Sequence, residues 1–303
     1  MKNYKRIIIF ILILLTLIYV LQECLDIAYK KRANQKFTKI LNHKVDKQVM
    51  VFGSSVAYHL FDPFIIGKKT NLSVYNMGWD GVFFVQYNGL IHEYLSYEKN
   101  CKYIILACDF DNLGKNDLIT RPDLMYAYAG NPNIYESLHD MEPRKLAMVK
   151  YIPGYKLTLL NKSFYKDILF TGGEDDNKTL GYDPMNTDSF QVRSDTSFYA
   201  RYDEKIYQEL QQCINAITAR GIKVVIVMTP VYRDGYRLIL NAEEIKNKYK
   251  ALVNSNVFFF DYTTAPISQS KACFYNYSHL NARGAAAFSD SVSNDLLTVM
   301  NHP

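Results

Sequence analysis

The chain has 303 residues, 49% of them apolar and 21% charged, with a net charge of +5. That length holds one large domain or two small ones, and the balance excludes a disordered or collagen-like chain. The charge is uneven: residues 1–48 carry ten Lys and Arg against Glu23, Asp26 and Asp46, which leaves the remaining 255 residues at −2. A nucleic-acid binder carries its basic stripe on the folded domain. Here the excess flanks an apolar run, so a membrane role is expected and no nucleic-acid partner is.

The run is Ile7–Leu21, fifteen uncharged residues after "MKNYKR". It is short for a spanning helix, yet no small-residue cleavage site follows it in "QECLDIAYKKR". Residues 1–22 are therefore expected to form a retained membrane anchor or uncleaved signal. Basic residues lie on both sides of the run, so their count does not set the orientation. The order basic-then-apolar is that of an export signal, and the domain is expected outside the cytoplasm. Residues 23–47 read as a helical stalk, with Cys24–Asn42 as its helix, and residues 48–303 as the folded domain.

The five cysteines are odd in number and include no C-x-x-C, so they suggest no metal signature or disulfide framework. They read as small buried hydrophobes.

Five strand-like runs follow in chain order: Gln48–Gly53, Ser73–Gly78, Lys102–Phe110, Ile222–Pro230 and Val257–Tyr262. Three are nearly continuous apolar runs, the pattern of strands buried on both faces of a parallel sheet. Helices are expected over Phe83–Tyr97, Asp203–Arg220 with Gly221 after it, Ala242–Val253, and Asn281–Met300 with Asn281 as N-cap. The alternation predicts an α/β doubly wound fold. Residues 113–200 interrupt it after the third strand, either as a lid over a site or as a surface elaboration.

Ligands bind such folds at the carboxyl edge of the sheet. There the first strand delivers Ser54 and Ser55, the second Gly78, the third Asp109, and the loop after the fifth His279. A hydroxyl, a glycine N–H and an imidazole are the parts that nucleophilic acyl chemistry needs.

Residues 48–300 resemble the SGNH/GDSL-type hydrolases, above all the membrane-anchored envelope branch with its DltD-like (D-alanyl-lipoteichoic-acid) and alginate-acetylation groups. The resemblance rests on "GSS" after the first strand, "NMG" after the second, and "NYSH" before "LNARGAAAFS". It implies a flavodoxin-like three-layer α/β/α fold, Ser55 as nucleophile, His279 as base and Gly78 as an oxyanion-hole donor. It also implies an acyl-enzyme route to an esterase or O-acyltransferase. The expected substrate is an acylated cell-surface glycan or small acyl ester, and the chemistry needs no metal or cofactor.

Two positions depart from the family pattern. "ACD" puts Asp109 where the family has an oxyanion-hole asparagine, and Asn276 stands where the last block has its acid. An ionised Asp109 repels an oxyanion, and Asn276 accepts from the imidazole without offsetting its charge. Three arrangements of His279 stay open on the sequence: a Ser–His dyad held by a backbone carbonyl, or support from Asp109 or Asp62. The alternative function is an SGNH-like envelope binding or scaffold protein with weak or no catalysis. The Gly-x-Ser spacing predicts that Ser55 faces the rim, while Ser54 faces the helix or backbone.

Overall fold

A computed structural model describes residues 2–30, 36–159, 178–187, 189–192 and 195–301. Its elements in chain order are α1 (Lys2–Lys30), α2 (Lys36–Leu41), β1 (Val49–Gly53), α3 (Ser55–Leu60), α4 (Pro63–Thr70), β2 (Val74–Asn76), α5 (Phe84–Leu95) and β3 (Tyr103–Cys108). Then come α6 (Pro122–Met125), α7 (Pro132–Leu138), α8 (Pro143–Tyr151), α9 (Tyr155–Leu159), α10 (Glu204–Thr218), β4 (Lys223–Met228), α11 (Arg233–Tyr236), α12 (Ala242–Lys250), β5 (Val257–Asp261) and α13 (Ala282–Met300).

The five strands form one parallel sheet in the order β2-β1-β3-β4-β5, the flavodoxin-like order. Residues of β1 and β3 are buried throughout, as their unbroken apolar sequence requires. Alternate side chains feed two cores. Met50, Ile104, Leu106 and Ile226 join α5, α10 and α12 on one face. Val51, Ile105 and Val227 join α3, α4 and α13 on the other. The layers are helix, sheet, helix.

Local signals act where the sequence placed them. Asp203 caps α10 through Lys205 and Ile206 N–H, Asn281 caps α13 through Gly284 N–H, and Gly221 turns the chain at φ +75° after α10. Left-handed backbone of that kind favours glycine, which has no Cβ to clash.

Two expectations are corrected. Within the segment read as a stalk, α1 continues to Lys30, residues 31–35 lie outside the described residues, and α2 is buried in the domain from Lys36 to Ile40. Of the five cysteines read as buried, only Cys108 and Cys213 are fully buried. Of residues 113–200, 160–177, 188, 193 and 194 lie outside the described residues; the described part carries α6–α9.

Candidate active site

β1 ends at Gly53, a position where nothing larger than glycine fits. A Cβ there would sit 2.6 Å from the Ala107 carbonyl oxygen of β3 and 2.9 Å from Ala57 Cβ. The chain then turns directly into α3. The Ser54 carbonyl accepts from Ala57 and Tyr58 N–H at 3.0 and 3.1 Å, so Ser55 opens the helix at the carboxyl edge of the sheet.

The histidine is brought to it by a folded loop. Asn276 is 2% exposed, and its Oδ1 accepts from Ser278 N–H and His279 N–H, each at 2.9 Å. Phe274 and Leu280, both fully buried, pair across the base of the loop. The result places His279 Nε2 2.8 Å from Ser55 Oγ. His279 Nδ1 lies 3.1 Å from Asn276 Oδ1 and 3.0 Å from Ser278 Oγ.

The network assigns the tautomer. Two backbone donors fix Asn276 Oδ1 as an acceptor, so Nδ1–H of the neutral ring donates to it. That leaves Nε2 free to accept from Ser55 Oγ–H, the state a general base needs. Asn276 Nδ2 is buried without a hydrogen-bond partner among the described residues.

The other expected residues fall differently. Gly78 is glycine because it presses on α3, where a Cβ would lie 2.3 Å from the Tyr58 nitrogen. Its N–H donates to Asn76 Oδ1 at 2.8 Å, so the anticipated oxyanion donor is engaged. Buried Asn76 in turn donates to the Ala57 and Phe61 carbonyls at 2.7 and 2.8 Å. Asp109 accepts from Asp111 N–H at 2.9 Å and from Ser54 Oγ–H at 3.4 Å. Burial, with the charge of Asp111, pushes its carboxyl up to about 6. Ser54 thus faces Asp109 rather than the helix or backbone. Asp62 caps α4 through Phe64 and Ile65 N–H, and Asn276 takes the place beside His279 instead.

A second histidine went unnoticed in the sequence. His59 lies one helical turn after Ser55, a spacing that puts both on one face of α3. Its Nε2 is 2.8 Å from Asp80 Oδ1, and its Nδ1 meets the Asp183 carbonyl. Both partners accept only, so both ring nitrogens carry protons and the buried ring is an imidazolium. Burial opposes that charge, but the hydrogen bonds to Asp80 and Asp183 outweigh it and raise the pKa. Burial likewise opposes the charge of Asp80, yet the His59 bond lowers its pKa, with His279 and Lys36 adding to the effect. The His59 and His279 ring centroids are 6.1 Å apart.

Around this pair Tyr58 and Trp79 stack at 6.2 Å, with Lys36 Nζ 3.8 Å from the Tyr58 ring centroid. Residues 180–187 and 189–191 strap the rim. The Leu180 carbonyl accepts from Asn76 N–H, the Met185 carbonyl from Ala282 N–H, and Gln191 N–H donates to the Tyr275 carbonyl. On the β3–β4 side lies a cavity of about 400 Å³ whose walls include Asp109, Phe110, Phe198, Val231, Asn276 and Ser278. Among the described residues, no group of three or more His, Cys, Asp or Glu is placed to hold a metal ion.

In comparisons with known proteins the chain matches no family model and no curated protein.

Proposed function

We propose that this is a membrane-anchored, extracytoplasmic SGNH-like esterase or O-acyltransferase working through a Ser55 acyl-enzyme. The observation that carries the reading is the 2.8 Å approach of His279 Nε2 to Ser55 Oγ at the carboxyl edge of the sheet. In the first half-reaction Ser55 Oγ attacks the ester carbonyl carbon while its proton passes to His279 Nε2. The tetrahedral oxyanion meets the backbone N–H of Ser55, which the first turn of α3 leaves without an intrahelical acceptor. Collapse breaks the ester C–O bond, and the leaving alcohol takes the proton from Nε2. Water or a sugar hydroxyl then repeats the sequence on the acyl-enzyme and regenerates Ser55.

The imidazolium formed on attack gains no charge partner from Asn276. Asp80 is the nearby carboxylate in charge terms, since His279 contributes to its lowered pKa. The envelope side and the acylated cell-surface glycan as substrate rest on the family resemblance and the apolar α1.

A second reading, an SGNH-like binding protein, is favoured by the Asn76 side chain that occupies the Gly78 N–H. Labelling with a fluorophosphonate separates the two. Covalent capture that disappears in Ser55→Ala supports the enzyme; an inert, folded wild-type chain supports the binding protein.

A further inference from the structure

α1 is long and apolar enough to cross a bilayer over Tyr4–Ala28, and it is not a free tether. Ile18, Gln22 and Asp26 recur every four residues, on one face of the helix. That face docks on the turn between α8 and α9. Gln22 Oε1 accepts from Gly154 N–H at 2.9 Å, and Asp26 forms a buried ion pair with Lys156. Gly154 stands so close to Ile18 that an added Cβ would lie 2.5 Å from Ile18 Cγ2. Polar groups on a spanning helix are costly in lipid unless protein covers them. Here the α8–α9 turn covers Gln22 and Asp26.

The contact sets a depth. Ile18 lies three residues inside the end of the uncharged run at Leu21, about 4.5 Å along the helix axis. Beside it the turn presents Tyr151 and Ile152, 69% and 48% exposed, then Pro153, with Lys150 exposed just before them. A tyrosine, an aliphatic residue and a lysine at that depth make an interfacial composition.

We propose that the Tyr151–Gly154 turn is a second membrane contact, seated in the lipid interface beside α1, which fixes the domain against the bilayer. Its consequence is for the candidate site. The six Cα steps from Lys30 to Lys36 span at most about 22 Å, and Lys36 packs on Tyr58 and Trp79 next to His59 and Asp80. The rim that holds Ser55 is thereby kept close to the membrane, where lipid-borne acyl groups are presented. The proposal rests on α1 spanning a bilayer and is independent of whether Ser55 is reactive.

The test uses the full chain in phosphatidylcholine–phosphatidylglycerol vesicles, with an environment-sensitive nitrobenzoxadiazole probe on Ile152→Cys or, as control, on Ser255→Cys. Both are made in a Cys24→Ser background, whose own labelling is the blank. Ser255 is exposed in the turn before β5. The Ile152→Cys probe is expected to be quenched by shallow doxyl lipids at least about twofold more than the control, and shielded from aqueous iodide. Adding Lys156→Ala to the labelled chain should lower the lipid quenching. Iodide access equal to the control in chains that float with the vesicles overturns the proposal alone. Shielding from both quenchers overturns it in favour of protein covering the turn. Chains that fail to float overturn the anchor reading with it.

Discussion

Ser55 Oγ and His279 Nε2 meet at 2.8 Å across 224 residues of chain. Their tautomer follows from a third residue, Asn276, whose Oδ1 is held by two backbone N–H groups and accepts from Nδ1. If the pair is reactive, Ser55→Ala should lower kcat/KM on a nitrophenyl ester by at least about a thousandfold. Ser54→Ala should stay within about fivefold of wild type, because Ser54 reaches Asp109 only through one long hydrogen bond. The reverse pattern would assign the nucleophile to Ser54.

Asn276→Asp keeps the acceptor that folds the loop and adds the missing charge beside Nδ1. Turnover is expected to rise about tenfold, equivalent to about 1.4 kcal/mol of transition-state stabilisation. Measured kcat/KM with Ser55→Ala as the zero checks this. An unchanged rate would mean that Asp80 already balances the imidazolium.

The His59–Asp80 pair gives stability a pH dependence of defined sign. A histidine pKa raised on folding contributes stability that is complete below its unfolded value, about 6.5, and is lost as pH rises through the folded value. Melting temperature of the full chain in detergent should therefore fall as pH rises above about 6.5. Asp80→Asn should lower Tm at pH 6 and flatten the slope. A wild-type slope retained in full by Asp80→Asn would remove Asp80 as the partner that charges His59.

Asp109 acts in the same direction over a more acidic range, since its carboxyl is held up to about 6 by burial and Asp111. The unfolded chain ionises it near 3.9, so stability falls as pH rises between about 4 and 6 and stays lowered above that. Asp109→Asn should recover up to about 3 kcal/mol at pH 7, read from urea unfolding in detergent. It should also raise any Ser55-dependent rate at pH 7, because an ionised carboxylate beside Ser54 opposes an oxyanion. Equal stability of the two proteins at pH 7 would place the charge in solvent.

What the sequence determined by itself was periodic or covalently local. Unbroken apolar runs in β1, β3 and β4 announce strands buried on both faces, and Asp203, Asn281 and Gly221 mark helix ends through bonds and angles within a few residues. Those features, with the alternation of strands and helices, are enough for a parallel α/β sheet. They also place Ser55 and His279 at its carboxyl edge, because strand direction dictates where each loop emerges. Tertiary structure decided what depends on partners distant in the chain. Gly78 looked like a free donor, but Asn76, anchored on the Ala57 and Phe61 carbonyls, takes its N–H. His59 looked like one more helix residue until Asp80 and the Asp183 carbonyl gave its two nitrogens acceptors. Residues 23–47 looked like a stalk because their pattern is helical and polar. Burial of α2 and the Asp26–Lys156 pair tie Asp26 and Lys36–Ile40 to the domain, since a side chain's burial is set by what packs on it and not by its own sequence.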